Sequence, residues 1–220
     1  MDIGLKHASA NPVANPLPIS WLGRADAPLT PPDWANMYRL SAVQIKNLQA
    51  QIGYDLSKWD YAFKGNNNEL GRYQITPATL EKYGILAEGS NSYYGTDCVN
   101  YYTCWRPVTI RKNTNSYANY IYNSNNLTEF LTNTTAQDHL AYQIIYDLYN
   151  ELSLINAITT EDTPEIVAGM ISVAWLFGAG TKPSGKNMTG TGAYAWRYFN
   201  VGSCVDAYNS GRYAITVLSQ

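Results

Sequence analysis

The sequence is poor in charge, since only 15% of its 220 residues are Asp, Glu, Lys or Arg, against about 25% in an average soluble domain. The formal net charge is −2, so the chain lacks a basic footprint and we expect no nucleic-acid partner. It has no apolar run of about 18 residues, so no membrane span is expected. No signal peptide is readable at the N-terminus either.

Histidine and cysteine are also scarce, with two and three copies. The cysteines do not have the spacing of zinc ligands, and two histidines leave little scope for a metal site or a histidine-activated nucleophile. We therefore expect no metal and no cofactor, and carboxylates must carry any enzymatic reaction. Cys98 and Cys104 could bridge a loop or could both be reduced, and the state of Cys204 is equally open.

Aromatic residues take the place of charge, with 19 Tyr and 6 Trp. This aromatic content argues against disorder, and a chain of this size buries roughly 70% of its unfolded surface, enough for one sizeable core. Depletion of charge with enrichment of aromatic residues is also typical of interface cores. The composition therefore favours a globular protein with surface suited to contact.

Residues 1–40 predict an extended arm, because six prolines exclude a long helix or a central strand. The arm carries Trp21 and Trp34, whose rings cost free energy if they stay in water. We therefore expect it to lie on its own domain or on a neighbouring subunit, and we favour the neighbouring subunit.

Residues 41–220 are expected to form one mainly α-helical domain, since strand signals are weak throughout. A Tyr- and Asn-rich insertion at about 87–127 interrupts it. Apolar spacing, capping residues and prolines place the helices. The expected positions are Ser41 to Ile52 with Gly53 as its stop, a short helix after Thr76-Pro77, a long helix opened by a capping box at Thr135–Asp138, a buried apolar helix after Thr163-Pro164, Tyr194–Phe199 and Val205–Leu218.

Two segments carry the strongest motifs. The first is Gln51-Ile52-Gly53 followed by Glu69-Leu70-Gly71-Arg72-Tyr73-Gln74-Ile75, and the second is Ala174-Trp175-Leu176-Phe177-Gly178-Ala179-Gly180. Together they resemble the lysozyme-like lytic transglycosylases, particularly those carried by tailed bacteriophages, over about residues 40–218. That family has a helix ending in Glu-Ser-Gly, then a polar loop and a Gly-x-Tyr-Gln-Ile turn.

The resemblance implies a lysozyme-like domain that contacts peptidoglycan glycan strands through Gln51, Gly71, Tyr73, Gln74 and Trp175. A glycine turn would let backbone approach a sugar, while tyrosine would stack and glutamine would donate amide hydrogen bonds. A purely structural interpretation stays open. In it Gly71 only makes a turn, Tyr73 and Trp175 are core residues, and Gln74 helps to cap the next helix.

The catalytic acid is where this sequence departs from the family. Glycoside cleavage needs a carboxylic acid to protonate the leaving oxygen, yet Gln51 stands at the family's glutamate position and has no proton to give. Glu69 is the carboxylate within the second motif, so it is the best relocated candidate. It could also be an ordinary loop carboxylate, and whether catalysis survives is open.

These features lead to two functional hypotheses. In the first, the chain is a virion component of a phage tail or baseplate hub, whose lysozyme-like domain acts on or binds peptidoglycan at the host envelope. In the second, it is a purely structural tail or baseplate protein with a catalytically dead lysozyme-like fold. In both, the arm of residues 1–40 contacts other tail or baseplate subunits.

Overall fold

The structure, a computed structural model, describes residues 39–66, 69–83, 127–202 and 204–217. The described residues are mostly helical and contain isolated bridges but no extended strand, which confirms the expected mainly α class. The helices are α1 (Ala42–Ser57), α2 (Pro77–Lys82), α3 (Leu127–Thr132), α4 (Thr134–Leu154), α5 (Pro164–Phe177), α6 (Gly192–Phe199) and α7 (Val205–Thr216).

Several helix starts follow directly from local sequence. Ser41 and Gln44 form a reciprocal capping box. The backbone N–H of Gln44 donates to Ser41 Oγ at 3.3 Å, and the backbone N–H of Ser41 donates to Gln44 Oε1 at 2.9 Å. At α2, the Thr79 N–H donates to Thr76 Oγ1 at 3.2 Å, and Pro77 takes the first helical position. The predicted starts at Ser41 and Thr76 are confirmed.

Two helix boundaries differ from the prediction. Gly53 does not stop α1, which continues to Ser57. A β-carbon on Gly53 would meet the Arg72 side chain at 2.8 Å, so the glycine serves close packing instead of termination. The capping box expected at Thr135 is also wrong. The helix α4 begins at Thr134, and Asn133 Oδ1 caps it by accepting from the Ala136 N–H at 2.9 Å.

The chain divides into two compact units. We call the described residues of 53–141 the turn unit, and the described residues of 39–52 and 142–217 the helical unit. The boundary falls inside α1, after Ile52, and inside α4, after Ala141. The motif around Gly71 belongs to the turn unit, and the motif around Gly178 belongs to the helical unit.

The helical unit is built on α5, whose residues from Val167 to Ala174 are all buried. Small residues bring α7 close to it. A β-carbon on Gly211 would collide with the backbone oxygen of Ala168, and one on Gly169 would collide with the Tyr208 ring. The burial expected for α5 stops short of its C-terminal end, where the side chains of Leu176 and Phe177 are 50% exposed.

Some expectations fall on residues that the structure does not describe. They concern the arm up to residue 38, the insertion from 87 to 126, and the pair Cys98 and Cys104. The remaining cysteine, Cys204, is a buried free thiol whose pKa is raised by burial. In the part of the chain that is described, no helix is both long enough and apolar enough to cross a bilayer.

Candidate functional site

The motif from Glu69 to Ile75 folds as a turn over residues 71–74 that is closed by Leu70 and Ile75, and the side chain of Leu70 is buried. Leu70 pairs with Ile75 through two backbone hydrogen bonds of 3.0 and 2.9 Å, and the Gly65 N–H donates to the Glu69 carbonyl at 2.7 Å. Both Gly71 and Gln74 have left-handed backbone, with φ of +72° and +49°. Glycine takes that conformation freely, whereas for glutamine it costs free energy.

The side chain of Gln137 holds this turn from α4. Its Oε1 accepts a 2.9 Å hydrogen bond from the Arg72 backbone N–H. Its Nε2 donates to the carbonyls of Tyr61 and Phe130 at 3.0 and 2.9 Å. A β-carbon on Gly71 would collide with the Gln137 amide. Gly71 is therefore required both for its positive φ and for the close approach of Gln137.

Beneath the turn lies a buried polar network centred on Arg72, whose side chain is fully buried. Arg72 Nη1 donates to the Tyr61 hydroxyl, and that hydroxyl donates to both carboxylate oxygens of Asp138 at 2.9 and 3.0 Å. The Tyr73 hydroxyl donates to Asp138 Oδ1 at 2.6 Å. Ser57 Oγ completes the network by donating to the Arg72 carbonyl at 2.7 Å.

The electrostatics of this network favour two neutral tyrosines beside a charged arginine. Burial, and then the nearby Asp138 carboxylate, raises the pKa of Tyr73 well above its usual value. The same two causes raise the pKa of Tyr61. Burial alone would lower the pKa of Arg72, but the surrounding Tyr73, Tyr61 and Asp138 raise it. Arg72 thus stays cationic, and Tyr61 links it to the Asp138 carboxylate.

Two of the predicted site residues, Glu69 and Gln74, both approach Gly65. Glu69 Oε2 and Gln74 Oε1 both occupy the space that a β-carbon on Gly65 would take. Each side chain is half-buried, and the Gln74 amide is fixed because its Nε2 donates to the Gly71 carbonyl at 3.0 Å. The structure therefore places one carboxylate and one amide side by side against a residue without a side chain.

The other predicted contacts of a glycan are placed differently. Tyr73 is fully buried with its hydroxyl bound to Asp138, which is the core position of the structural interpretation. Stacking on a sugar would require an exposed ring. Gln51 is fully buried within α1, and Trp175 is half-buried near the end of α5. Both belong to the helical unit, whereas Glu69 and Gln74 belong to the turn unit.

The second motif forms a glycine turn in which backbone meets backbone. Gly180 has a φ of +85°, and a β-carbon on it would collide with the Thr191 carbonyl. The Ala193 and Tyr194 N–H groups, at the start of α6, donate to the carbonyls of Gly178 and Ala179 at 3.0 and 3.1 Å. The motif therefore fixes the crossing from α5 to α6 at close range.

Sequence reasoning missed Gln137, Asp138 and Tyr61, which make most of the contacts that hold the turn. One signal could have found them. Gln137 lies three and seven residues before Leu140 and Ile144, on the apolar stripe of α4. A polar side chain on such a stripe must find buried partners, because burying it unpaired is costly.

No group of three or more His, Cys, Asp or Glu side chains that could hold a metal ion is found among the described residues. Comparison of the chain with protein-family models, with curated proteins and with solved structures finds no match. Functional inference therefore rests on the geometry of the turn and on the motif resemblance.

Proposed function

We propose that the chain is a phage tail or baseplate hub component whose lysozyme-like domain acts on or binds the glycan strands of bacterial peptidoglycan. The observation that carries this proposal is the pairing of Glu69 and Gln74 against Gly65, on a turn whose backbone is held at Arg72 by the side chains of Gln137 and Ser57. A carboxyl and a neighbouring amide are groups that can protonate a glycosidic oxygen and bind sugar hydroxyl or acetamido groups.

In this proposal Glu69 is the general acid. Its proton passes to the leaving glycosidic oxygen while the bond from that oxygen to the anomeric carbon breaks. The resulting oxocarbenium ion is captured by water or by a hydroxyl of the same sugar, which gives its proton back to Glu69. The Gln74 amide binds the sugar beside it. Because the turn is tied to α4 at Arg72, the backbone that carries both side chains does not have to rearrange when the sugar binds.

The assignment to a virion rests on other features of the chain. Its low charge and high aromatic content suit subunit contact, and residues 1–40 contain six prolines and two tryptophans. Both motifs resemble transglycosylase domains of tailed phages. A tail component with such a domain would open the peptidoglycan locally during infection.

The test is release of soluble muropeptides from purified peptidoglycan sacculi by the full chain. We expect Glu69→Gln to lower release by about 100-fold or more, since general acid catalysis contributes that much. Glu161→Gln removes an exposed carboxylate in the helical unit and should leave release unchanged. Equal release by Glu69→Gln and the parent would remove Glu69 from the mechanism.

Gly65→Ala gives a second, independent test, because it keeps both functional groups and only moves them. The new methyl group would occupy the space of Glu69 Oε2 and Gln74 Oε1, and both are ends of flexible side chains that can move aside. We expect a folded protein with about tenfold to 100-fold lower release. Full activity of Gly65→Ala would show that the pairing of Glu69 and Gln74 is irrelevant to the reaction.

A structural role without catalysis is the second candidate, and Gln51 is the observation that favours it. The residue at the family's acid position is a fully buried amide, which has no proton to give. This hypothesis predicts that the parent chain releases no muropeptides, and that deletion of residues 1–39 blocks incorporation into particles. Normal incorporation of the truncated chain would contradict docking through the arm.

A further inference from the structure

The end of α1 contains a turn whose backbone is poorly suited to its residues. The turn runs from Ser57 to Asp60 and is closed by a 3.2 Å hydrogen bond from the Asp60 N–H to the Ser57 carbonyl. Its two central residues, Lys58 and Trp59, both have left-handed φ, at +56° and +69°. Positive φ at both central positions is the pattern of a type I′ turn, which strongly prefers Asn or Asp followed by Gly.

Lys58 and Trp59 each carry a conformational cost that glycine would avoid. Burial of their side chains does not offset it, because Lys58 is exposed and Trp59 is only half-buried. A bulky residue at positive φ is a genuine outlier, and such outliers concentrate at functional sites. The turn holds an indole and an ammonium at the protein surface where glycine would hold neither.

The two side chains are arranged around Tyr54, one turn earlier in α1. The Trp59 and Tyr54 rings lie 4.9 Å apart between centroids and are tilted by 54°. The Lys58 ammonium lies 4.2 Å above the centre of the Tyr54 ring and donates to the Tyr54 carbonyl at 3.1 Å. These contacts fix the positions of Lys58 and Trp59, so the surface they form is preorganised.

We propose that Tyr54, Lys58 and Trp59 form a glycan-contacting platform for a polymer of pyranose sugars that carries carboxylates. The negative face of an aromatic ring attracts the polarised C–H groups on the apolar face of a pyranose. The adjacent ammonium attracts a carboxylate of the same polymer. Peptidoglycan has both features, because its sugars carry acidic stem peptides. This inference rests on the proposed function, and it adds a binding surface outside the Glu69–Gln74 pair.

A purely structural role for the turn makes a different prediction. Glycine at either position keeps the left-handed backbone and removes its cost. Trp59→Gly and Lys58→Gly should therefore fold as well as the parent, with a thermal midpoint no lower. If the two side chains serve only to end α1, both variants keep full binding to sacculi. If they form the platform, binding falls while the fold persists.

The experiment is co-sedimentation of the full chain with purified sacculi at several concentrations. We expect Trp59→Gly to weaken binding by about tenfold or more, as for the loss of an aromatic anchor. We expect Lys58→Gly to weaken it severalfold at low salt and less at high salt, because salt screens the charge. Binding by Trp59→Gly within twofold of the parent would overturn the platform.

Two controls match these changes. Asn200→Gly replaces another residue with left-handed φ, +54°, in the helical unit, and should leave binding unchanged. Phe63→Ala removes a 38% exposed ring of the turn unit that is not part of the platform, and should also leave binding unchanged. A loss in Phe63→Ala as large as that in Trp59→Gly would mean that general surface hydrophobicity drives sedimentation, and would contradict the platform.

Muropeptide release, measured on the same samples, separates this inference from the proposed function. If the parent binds sacculi without cleaving them and Trp59→Gly loses binding, the platform holds and the catalytic assignment of Glu69 fails. If the parent cleaves and Trp59→Gly binds normally, the platform fails and the proposed function stands. If the parent does not bind sacculi, the platform is overturned.

Discussion

The turn unit and the helical unit both enclose an arginine, but they compensate its charge in different ways. In the turn unit, Arg72 is fully buried and reaches Asp138 through the Tyr61 hydroxyl. In the helical unit, Arg197 pairs directly with Asp162 through two hydrogen bonds of 2.6 Å, with side-chain exposures of 11% and 6%. The Arg72 charge lies inside a polar core, and the Arg197 charge lies beside an apolar core.

This difference reflects what each unit has to hold in place. The turn unit fixes an irregular backbone at 69–75, through directional hydrogen bonds between the Arg72 backbone and the side chains of Gln137 and Ser57. The helical unit packs regular helices, for which close-fitting apolar surfaces suffice. We therefore expect the turn unit to depend on polar groups and the helical unit on shape.

The largest effect is expected from Asp138→Asn. The substitution keeps the size of the side chain but leaves the buried Arg72 charge without its carboxylate. Breaking a buried ion pair by removing one partner is strongly destabilising, so we expect a loss of about 4 kcal/mol confined to the turn unit. Amide hydrogen exchange resolved by peptide measures the two units separately.

The matched control is Glu151→Gln, at an exposed position of the same helix, α4, where we expect a change within about 0.5 kcal/mol. A mild effect of Asp138→Asn, similar to this control, would mean that the tyrosine hydroxyls alone satisfy Arg72. The polar core would then be no more sensitive than the surface.

The next largest effect is expected from Asp162→Asn, which should lower the free energy of unfolding of the helical unit by about 3 kcal/mol. Arg197 would then keep its charge beside the core without its carboxylate partner. The pH dependence has a definite sign. Burial would raise the pKa of Asp162, but hydrogen bonds from Arg197 and Thr159 outweigh it and lower that pKa below its usual 3.8. The stabilisation is therefore complete above that pH and is lost as pH falls through the lower, folded-state value.

Acid titration followed by hydrogen exchange measures this contribution. As the pH falls below 5, backbone amides in the helical unit of the parent should lose protection from hydrogen exchange. The Asp162→Asn variant should show less of this acid-dependent loss. Asp206→Asn, at an exposed position in the first turn of α7, serves as the control. Identical acid profiles for Asp162→Asn and the parent would contradict the role of the ion pair.

A smaller effect is expected from replacing glycine by alanine, which compares how tightly the two units are packed. Gly211→Ala and Gly53→Ala both replace a buried helical glycine, so they gain a similar amount of helix propensity. The new methyl of Gly211→Ala collides with the Ala168 backbone, whereas that of Gly53→Ala meets the Arg72 side chain. We expect net losses of about 2 kcal/mol and about 1 kcal/mol, because backbone yields less than a side chain.

Urea unfolding, monitored by hydrogen exchange, measures both losses in the free energy of unfolding. The reverse order, with Gly53→Ala the more damaging, would show that the buried network around Arg72 is more rigid than the contact between α5 and α7. Gly185→Ala serves as a reference for conformational cost alone, because Gly185 has a φ of +55° and nothing lies near its missing β-carbon.

The parts of the fold that the sequence predicts are those set by local chemistry. Thr76-Pro77 and Thr163-Pro164 mark the starts of α2 and α5 because proline at the first helical position loses no hydrogen bond. The α-helical class follows from the periodicity of apolar residues. The motif resemblance predicts a turn at Gly71, and the structure has a positive φ there, which glycine adopts freely.

The parts that local sequence does not predict depend on distant partners. Gly53 resembles a helix stop, yet its role is to admit Arg72, nineteen residues away. Arg72 itself resembles a surface cation of a polar loop, and only the approach of Asp138 from α4 makes its burial tolerable. In the candidate site, Glu69 and Gln74 both approach Gly65, and no spacing rule encodes this arrangement.

The smallest effect concerns Tyr73 and appears only at high pH. Burial and the Asp138 carboxylate raise its pKa, so above pH 10 the unfolded chain loses this proton while the folded chain keeps it. Stability is therefore full below pH 10 and falls as pH rises, by about 1 kcal/mol for this residue at pH 11.

Tyr73→Phe should be less stable at pH 7, because Asp138 loses a hydrogen bond. Between pH 9 and 11, however, the stability of the turn unit should decline less steeply in this variant than in the parent. Tyr83→Phe, at a half-buried position in the same unit, is the control for the loss of a hydroxyl. An alkaline decline in Tyr73→Phe as steep as in the parent would mean that Tyr73 already ionises in the folded state, and that burial beside Asp138 does not keep this tyrosine neutral.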